Sequence, residues 1–217
     1  MSEWYPILLN MKGRTCVVIG GGTVAARKAR GLLEADANVT VVSPKLIPEL
    51  SELAEAGRIR HLLKAYADGD LEGASLVFAA TDSPETNAAV LSEANKRGIL
   101  ANAADGSPGG DFIVPAVLRR GDLVLTATAS GSGPAVASRI IGELGSRYGP
   151  EYADYLAGLR KLRSRLKAEV ADPVERRRLL EEASTEQSLI EWSKLDDRAD
   201  IHAIIERLRV RALGRKG

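Results

Sequence analysis

A glycine-rich turn follows directly on an apolar, β-branched run near the start of the chain. The run Thr15–Ile19 ends at Gly20-Gly21-Gly22, and an alanine-rich stretch follows at once. In a strand, turn and helix of this kind, Gly20 permits the sharp turn, Gly22 lets the backbone approach a phosphate, and Ala25 lets the helix pack closely. The unpaired amides of the helix then face the anion. The pattern predicts a dinucleotide pyrophosphate site formed by Gly20, Gly22, Thr23, Val24 and Ala25.

Each of three later apolar runs ends in short, mostly polar residues. These are, in chain order, Ser43 and Pro44, Thr81 and Asp82, and Asn102 with Asp105 a little beyond it. Parallel strands bring their carboxyl ends to one edge of a sheet, and ligands of open α/β sheets bind at that edge. The sequence therefore predicts that all of these residues except Asp105 contact the cofactor.

Asp105 is the first candidate for the chemistry of the site, because a carboxylate at this edge can accept a proton from a bound substrate. By position alone, an aspartate that opens a Gly/Ser/Pro loop also suits an Asx turn. Asp82 has an equal alternative as the cap of a helix that begins at Pro84. Asn102 has an equal alternative as a hydrogen-bond partner of the backbone.

Ser43 stands where many dinucleotide-binding folds carry the acid that bonds the adenine ribose. A hydroxyl can still bond the ribose, but it does not repel a 2′-phosphate, and Lys45 lies two positions further on. At this position the residues are compatible with both NAD and NADP.

Strand-like runs alternate with segments of helical periodicity over the first half of the chain. Strands are predicted at 15–19, 38–42, 58–63, 76–80 and 99–103. One helix begins at about Thr23, a second has Pro48 in its first turn, and a third begins at Pro84. Ser83 is expected to cap the last of these helices and Gly98 to end it. This alternation predicts right-handed crossovers and a parallel sheet covered on both faces, a Rossmann-like α/β domain over residues 1–112.

The pattern changes after Asp105. A glycine-rich loop is followed by an apolar segment at 112–117, an alternating run at 123–129 and a second glycine loop at 130–134. Two strands cannot form a core alone, so they must join the first sheet or pair with a second copy of the chain, and an exposed edge favours the second copy. We assign residues 113–149 to a dimerisation segment. Loop amides before the helix at Pro134 could bind a substrate carboxylate, which makes Ser130, Gly131 and Ser132 candidates.

Residues 150–217 have helical periodicity. Leucines at 156, 159, 162 and 166 form one stripe, and Ile201, Ile204, Ile205 and Leu208 form another at i, i+3, i+4 and i+7. The many lysines and arginines here are accompanied by nearly as many acids, which favours solvated helical faces. We expect an all-α C-terminal domain.

Composition excludes several classes of partner and site. The 217 residues are 45% hydrophobic with a formal net charge of +1, which indicates neither nucleic acid nor membrane as a partner. No basic leader or membrane-length apolar run is present, so we expect a soluble, cytoplasmic protein. The single cysteine, Cys16, lies within the first strand as a buried thiol, and two distant histidines give no basis for a zinc site.

Six segments, in this order and spacing, make the chain resemble the precorrin-2 dehydrogenases of siroheme biosynthesis. They are residues 20–28 (GGGTVAARK), 41–44 (VVSP), 79–82 (AATD), 102–105 (NAAD), 112–116 (FIVPA) and 130–134 (SGSGP). This group includes stand-alone dehydrogenases, bifunctional dehydrogenase–ferrochelatases and the N-terminal half of siroheme synthase. The block from Asn102 to Pro134 is the most specific part. No methyltransferase domain is present, so the chain looks like the short form.

The resemblance implies a homodimer with an NAD-binding domain, a swapped middle segment at the dimer interface and a small helical domain. The implied reaction is NAD-dependent oxidation of precorrin-2 to sirohydrochlorin, with Fe(II) inserted afterwards in some members to give siroheme. It favours NAD over NADP, and any iron would be held by the macrocycle, without a resident metal site.

The resemblance also implies roles for individual residues. Asp105 matches the family's functional aspartate, and Arg120 matches a family arginine that could bind substrate carboxylates, although a surface arginine is the simpler interpretation. The second glycine loop departs from the family pattern, with Ala129 and Gly133 where hydroxyl residues are usual. Family members tend to have a basic residue at position 138. This chain has Ser138 there, and the basic residue Arg139 follows it.

Two other functions fit parts of the sequence. One is a regulatory protein that senses NADH with a Rossmann domain and performs no hydride chemistry. Balanced charge and the lack of a recognisable DNA-reading helix argue against it. The other is a dehydrogenase for a different small substrate.

Overall fold

The computed structural model describes residues 4–106, 109–130, 133–185, 191–192 and 200–214. The chain forms two compact units, Met1–Ile113 and Val114–Gly217. The predicted division into three parts, with boundaries after residues 112 and 149, remains a prediction.

The first unit is built on a five-stranded parallel sheet. Its strands are β1 (Thr15–Ile19), β2 (Asn38–Val42), β3 (Arg60–Leu62), β4 (Leu76–Ala79) and β5 (Leu100–Ala103), in the order β3-β2-β1-β4-β5. The central strand β1 pairs with β2 on one side, Thr15 opposite Asn38, and with β4 on the other, Cys16 opposite Leu76. The predicted Rossmann-like sheet is therefore confirmed, because β-branched runs buried on both faces form parallel strands.

Helices cover both faces of this sheet. They are α1 (Thr23–Leu33), α2 (Pro48–Glu55) and α3 (Pro84–Arg97). Cys16 and Val18 pack in one core cluster with α1 and α2, whereas Val17 and Ile19 pack in another with α3. Burial raises the pKa of the Cys16 thiol to about 11, which Arg14 partly offsets. The thiol is thus a buried apolar group, as expected.

The predicted limits of α3 agree with the structure. The Ser83 hydroxyl accepts a hydrogen bond from the Thr86 amide at 3.1 Å, and Gly98 ends the helix in the left-handed region at φ 67°. A hydroxyl cap and a glycine with positive φ are the local signals that fix these two limits.

The second unit begins with an antiparallel hairpin, β6 (Ala116–Arg120) and β7 (Leu123–Ala127), which packs on α4 (Pro134–Arg147). Gly121 in the two-residue turn has φ 57°. The alternative that these strands join the first sheet is wrong, because they form a separate sheet with each other. The tight turn at Gly121 pairs the two consecutive strands with each other, and the hairpin packs on α4 instead of extending the first sheet.

The described residues of the second unit also form the helices α5 (Glu151–Glu169), α6 (Pro173–Ala183) and α7 (Ile201–Gly214). The predicted stripes face the core, where Leu162, Leu166 and Leu208 are fully buried. Trp192 donates its ring N–H to the Ala183 carbonyl at 2.7 Å. The helical C-terminal region is confirmed over the residues that the structure describes. In the described part of the chain, none of the helices is both long and apolar enough to span a membrane.

Lys28, in α1, is half-buried, and its amine lies over the ring of Phe78. Its Nζ is 4.8 Å from the centre of the Phe78 ring, and Phe112 packs edge-on against Phe78 with ring centroids 5.4 Å apart. Burial lowers the pKa of Lys28 to about 8, and the neighbouring charge of Arg27 acts in the same direction. Folding therefore weakens proton binding at this amine.

We expect Lys28→Met to stabilise the protein by roughly 1 kcal/mol at about pH 7, a figure discounted for solvent screening. The charged amine destabilises the folded state below its folded pKa of about 8, and this cost vanishes as the pH rises towards the ordinary value of 10.5. Urea unfolding at about pH 7 and about pH 9.5 measures the difference. The exposed Lys12, changed to methionine, is the control. A variant less stable than the parent at both pH values would show that the contact with Phe78 dominates instead.

Candidate functional site

Gly20 is required by the backbone geometry at the end of β1. It has φ 124°, and a Cβ built there would overlap the carbonyl oxygen of Ala80. Its amide donates to the Val42 carbonyl at 3.0 Å. The predicted sharp turn therefore lies between the ends of β2 and β4, where only glycine fits.

Gly21 has a steric role that the sequence pattern did not assign. A Cβ there would overlap the carbonyl oxygen of Lys45 and come within 2.7 Å of the Ser43 hydroxyl. The Gly21 carbonyl accepts a hydrogen bond from the Ile47 amide at 2.9 Å. The loop after β2 thus rests directly on this residue. The signal for it was a third glycine between the two that the fingerprint needs.

Gly22 is the exposed N-cap residue of α1. A Cβ built there meets nothing within 4 Å, and the residue makes no side-chain capping hydrogen bond. Thr23 and Val24 are exposed, Ala25 is fully buried, and the first turn contains no acidic residue. An uncapped helix N-terminus with room in front of it favours an anion, so these residues fit a dinucleotide pyrophosphate.

Ser43 braces the turn after β2. It is only 6% exposed, and its hydroxyl donates to the Lys45 carbonyl at 2.7 Å. The ring Nε2 of His61 lies 2.9 Å from the Ser43 carbonyl oxygen, while Pro44 is exposed. The hydroxyl proton is thus engaged within the turn, and contact of Ser43 and Pro44 with a ribose remains a prediction.

Asn87 joins the loops after β4 and β5, and sequence reasoning missed it. This side chain is 1% exposed, bonds Thr81 through both its oxygen and its nitrogen, and donates to Asp105 Oδ2 at 2.8 Å. The available signal was a polar residue on the buried face of α3, in register with Val90 and Ala94 at i+3 and i+7. Asp105 itself is exposed at the sheet edge.

Asp82 does not cap α3. Ser83 provides the cap, so the alternative of an Asp82 cap is wrong, and the physical reason is that the residue directly before Pro84 takes the N-cap position. Asp82 is exposed beside Thr81 at the sheet edge. Its contact with the cofactor remains a prediction.

Asn102 secures the return of the chain along β5. Its side-chain amide donates to the Phe112 carbonyl at 2.8 Å. Asp111 accepts from the Ala101 amide at 2.9 Å through Oδ2 and donates its own amide to the Ala101 carbonyl at 2.8 Å. The loop that begins with Asp105 is therefore tied at its far end, which is the backbone role anticipated as the alternative for Asn102.

The substrate-binding candidates of the second unit have structural contacts. Arg120 donates from Nε to the Tyr148 carbonyl at 3.1 Å and from Nη1 to the Arg119 carbonyl at 3.0 Å. Ser130 has φ 50°, and its amide donates to the Thr128 hydroxyl at 3.1 Å. Gly131 and Ser132 lie outside the described residues. Contact of these four residues with a substrate stays a prediction.

Comparisons with known proteins identify relatives of this chain. Residues 7–116 match a family described as "Putative NAD(P)-binding". The siroheme synthase of Chromobacterium violaceum is 40% identical over 179 residues, 82% of this chain and 38% of that protein. Siroheme synthase 1 of Aeromonas salmonicida is 36% identical over 216 residues, 99% of this chain and 46% of that protein. The chain spans less than half the length of these two relatives.

A solved structure matches nearly the whole chain. It is the precorrin-2 dehydrogenase SirC, with a TM-score of 0.76 and 26% identity, and the match covers 95% of this chain and 100% of that one. The resemblance drawn from the six sequence segments, the fold class and NAD as the cofactor are confirmed by these matches.

Proposed function

Because this chain belongs to the NAD(P)-binding family, we propose that it catalyses the NAD-dependent oxidation of precorrin-2 to sirohydrochlorin. One observation carries the proposal. The uncapped N-terminus of α1 and the Asp105 carboxylate, held by the buried Asn87, follow strands of the same parallel sheet and share its carboxyl edge. Such an edge can hold a dinucleotide and a proton acceptor side by side.

The chemistry divides between cofactor and protein. Bound NAD would accept the hydride that leaves the macrocycle. Asp105 accepts the accompanying proton, so that the substrate loses one hydride and one proton and gains a double bond. The amides at the start of α1 bind the pyrophosphate, while Gly20 and Gly21 keep the loop close to its neighbours.

Steady-state assays test this function. With precorrin-2 and NAD, we expect NADH and sirohydrochlorin to appear together, and the reaction to be slower when NADP replaces NAD. Tight NADH binding with no turnover of precorrin-2 would contradict the proposal and favour an NADH sensor.

Fe(II) insertion into sirohydrochlorin is a second candidate activity, because the carboxylate of Asp105 could also take the macrocycle protons that a metal displaces. Iron here is a substrate and is held by the macrocycle. Incubation of the protein with sirohydrochlorin and Fe(II) in the absence of NAD is expected to give siroheme faster than the reaction without protein. Equal rates of siroheme formation with and without the protein would contradict this second proposal.

We also propose that the chain forms a homodimer through residues 113–149. Val136 and Ile140 lie one turn apart on one face of α4 and are 48% and 38% exposed, and Val117 of β6 is 38% exposed. Exposed apolar side chains on one face of a helix are typical of an interface.

Ile140→Asp is therefore expected to shift the protein from dimer to monomer, since a charge would be buried in that interface. Light scattering after size-exclusion chromatography measures the mass. The matched control is Val174→Asp in α6, where the parent valine is 73% exposed. A monomeric parent protein, or an unchanged dimer with Ile140→Asp, would contradict the assignment.

A further inference from the structure

The Asn87 side chain uses its complete hydrogen-bonding capacity at the edge of the sheet. Its Oδ1 accepts from the Thr81 amide at 3.2 Å and from the Thr81 hydroxyl at 2.8 Å. Its Nδ2 donates to the Thr81 carbonyl at 3.1 Å and to Asp105 Oδ2 at 2.8 Å. A carboxamide has two donors and two acceptor sites, so all four are used.

The chemistry of the partners fixes the orientation of this amide. The Thr81 backbone N–H can only donate, so it must face Oδ1, and the Asp105 carboxylate can only accept when ionised, so it must face Nδ2. Three of the four bonds go to one residue of the loop after β4, and the fourth reaches the loop after β5. The three bonds to Thr81 thus fix the orientation of the amide that donates to the Asp105 carboxylate.

Asp105 needs such support because of where it lies. It is exposed, and the next residue, Gly106, has φ 79° and begins a glycine-rich loop. A hydrogen bond from a buried, immobile donor to a charged acceptor is stronger than a neutral one in water. It therefore favours one position of the Asp105 carboxylate.

We propose that Asn87 is a positioning residue that holds the Asp105 carboxylate in place for proton transfer. This inference rests on the proposed function, because it concerns the same proton acceptor. Loss of a carboxylate's position by about 1 Å can lower a rate by about 10²-fold even when the group itself is present. In this role Asn87 changes the rate through Asp105, while its three bonds to Thr81 hold the amide itself in place.

Turnover of paired variants tests the coupling. Asn87→Ala is expected to lower kcat by about 10- to 100-fold, with KM for NAD changed by less than about twofold. The same substitution in an Asp105→Ala protein is expected to change the residual rate by less than about twofold, because nothing remains to position. Asn95→Ala, an exposed asparagine of the same helix, is the control and leaves kcat unchanged. Equal fold-changes in both backgrounds would overturn the proposal.

Urea unfolding tests the contact separately from activity. Asn87→Asp keeps the shape of the side chain and its acceptor for Thr81, but sets a second carboxylate against Asp105. We expect it to lower the urea midpoint more in the parent protein than in an Asp105→Asn protein, where the two charges no longer meet. Equal losses in the two backgrounds would overturn the positioning role. If the parent protein fails to oxidise precorrin-2, the proposed function fails, while this comparison still decides whether Asn87 holds Asp105.

Discussion

Asp105→Asn is expected to lower the rate of precorrin-2 oxidation by about 10²- to 10⁴-fold, the range typical for loss of a general base. The amide keeps the shape of the carboxylate and can still accept from Asn87 Nδ2, so the loops after β4 and β5 stay in place. It cannot take a proton from the macrocycle. We therefore expect the unfolding midpoint and the affinity for NAD to remain close to those of the parent protein.

Rapid mixing of precorrin-2 with the NAD-loaded protein measures this effect directly. The matched control is Asp68→Asn, an exposed aspartate in the connection between β3 and β4 that lies outside the candidate site. An Asp105→Asn protein that turns over at the rate of the parent would show that solvent takes the proton and that Asp105 only opens its loop.

Gly21→Ala and Gly22→Ala are expected to fail in different ways, although the residues are adjacent. A methyl group at Gly21 would overlap the Lys45 backbone, so we expect a loss of about 2–4 kcal/mol in the free energy of unfolding. A methyl group at Gly22 meets nothing within 4 Å, so the fold should be unaffected. It would occupy the space in front of α1, and we expect NADH to bind about 10- to 100-fold more weakly.

Urea unfolding and fluorescence titration with NADH separate the two effects. Gly31→Ala is the control, because Gly31 is an exposed residue within α1 and a Cβ there would meet nothing within 4 Å. That change should stabilise the helix by about 0.5–1 kcal/mol and leave NADH affinity unchanged. If Gly22→Ala binds NADH as tightly as the parent, the pyrophosphate does not lie at this helix terminus.

Local signals account for most of what the sequence predicted correctly. The run Thr15–Ile19 forms β1 because β-branched residues favour a strand buried on both faces. Ser83 and Gly98 set the limits of α3 through contacts within a few residues. The edge of the sheet followed from strand direction alone. For α3, the interactions that decide its limits lie close together in the chain.

The features that were missed depend on partners distant in sequence. Gly21 must be glycine because residue 45 rests on it, and Asn87 is buried because residues 81 and 105 satisfy its amide. A pattern within one helix or loop can mark such a residue, but it does not identify the distant partner that fixes its role. The pairing of β6 with β7 was open for a similar reason, since each strand had several potential partners and only the turn at Gly121 decides between them.

The central claim is that a dinucleotide and a proton acceptor at one sheet edge together remove two hydrogens from precorrin-2. Single turnover without oxygen tests it most directly, because NAD is then the only electron acceptor. We predict that the parent protein forms NADH and sirohydrochlorin in equal amounts and at the same rate, and that Asp105→Asn binds both reactants but forms neither product at that rate. Binding of both reactants by the parent protein, with no NADH formed, would contradict the account.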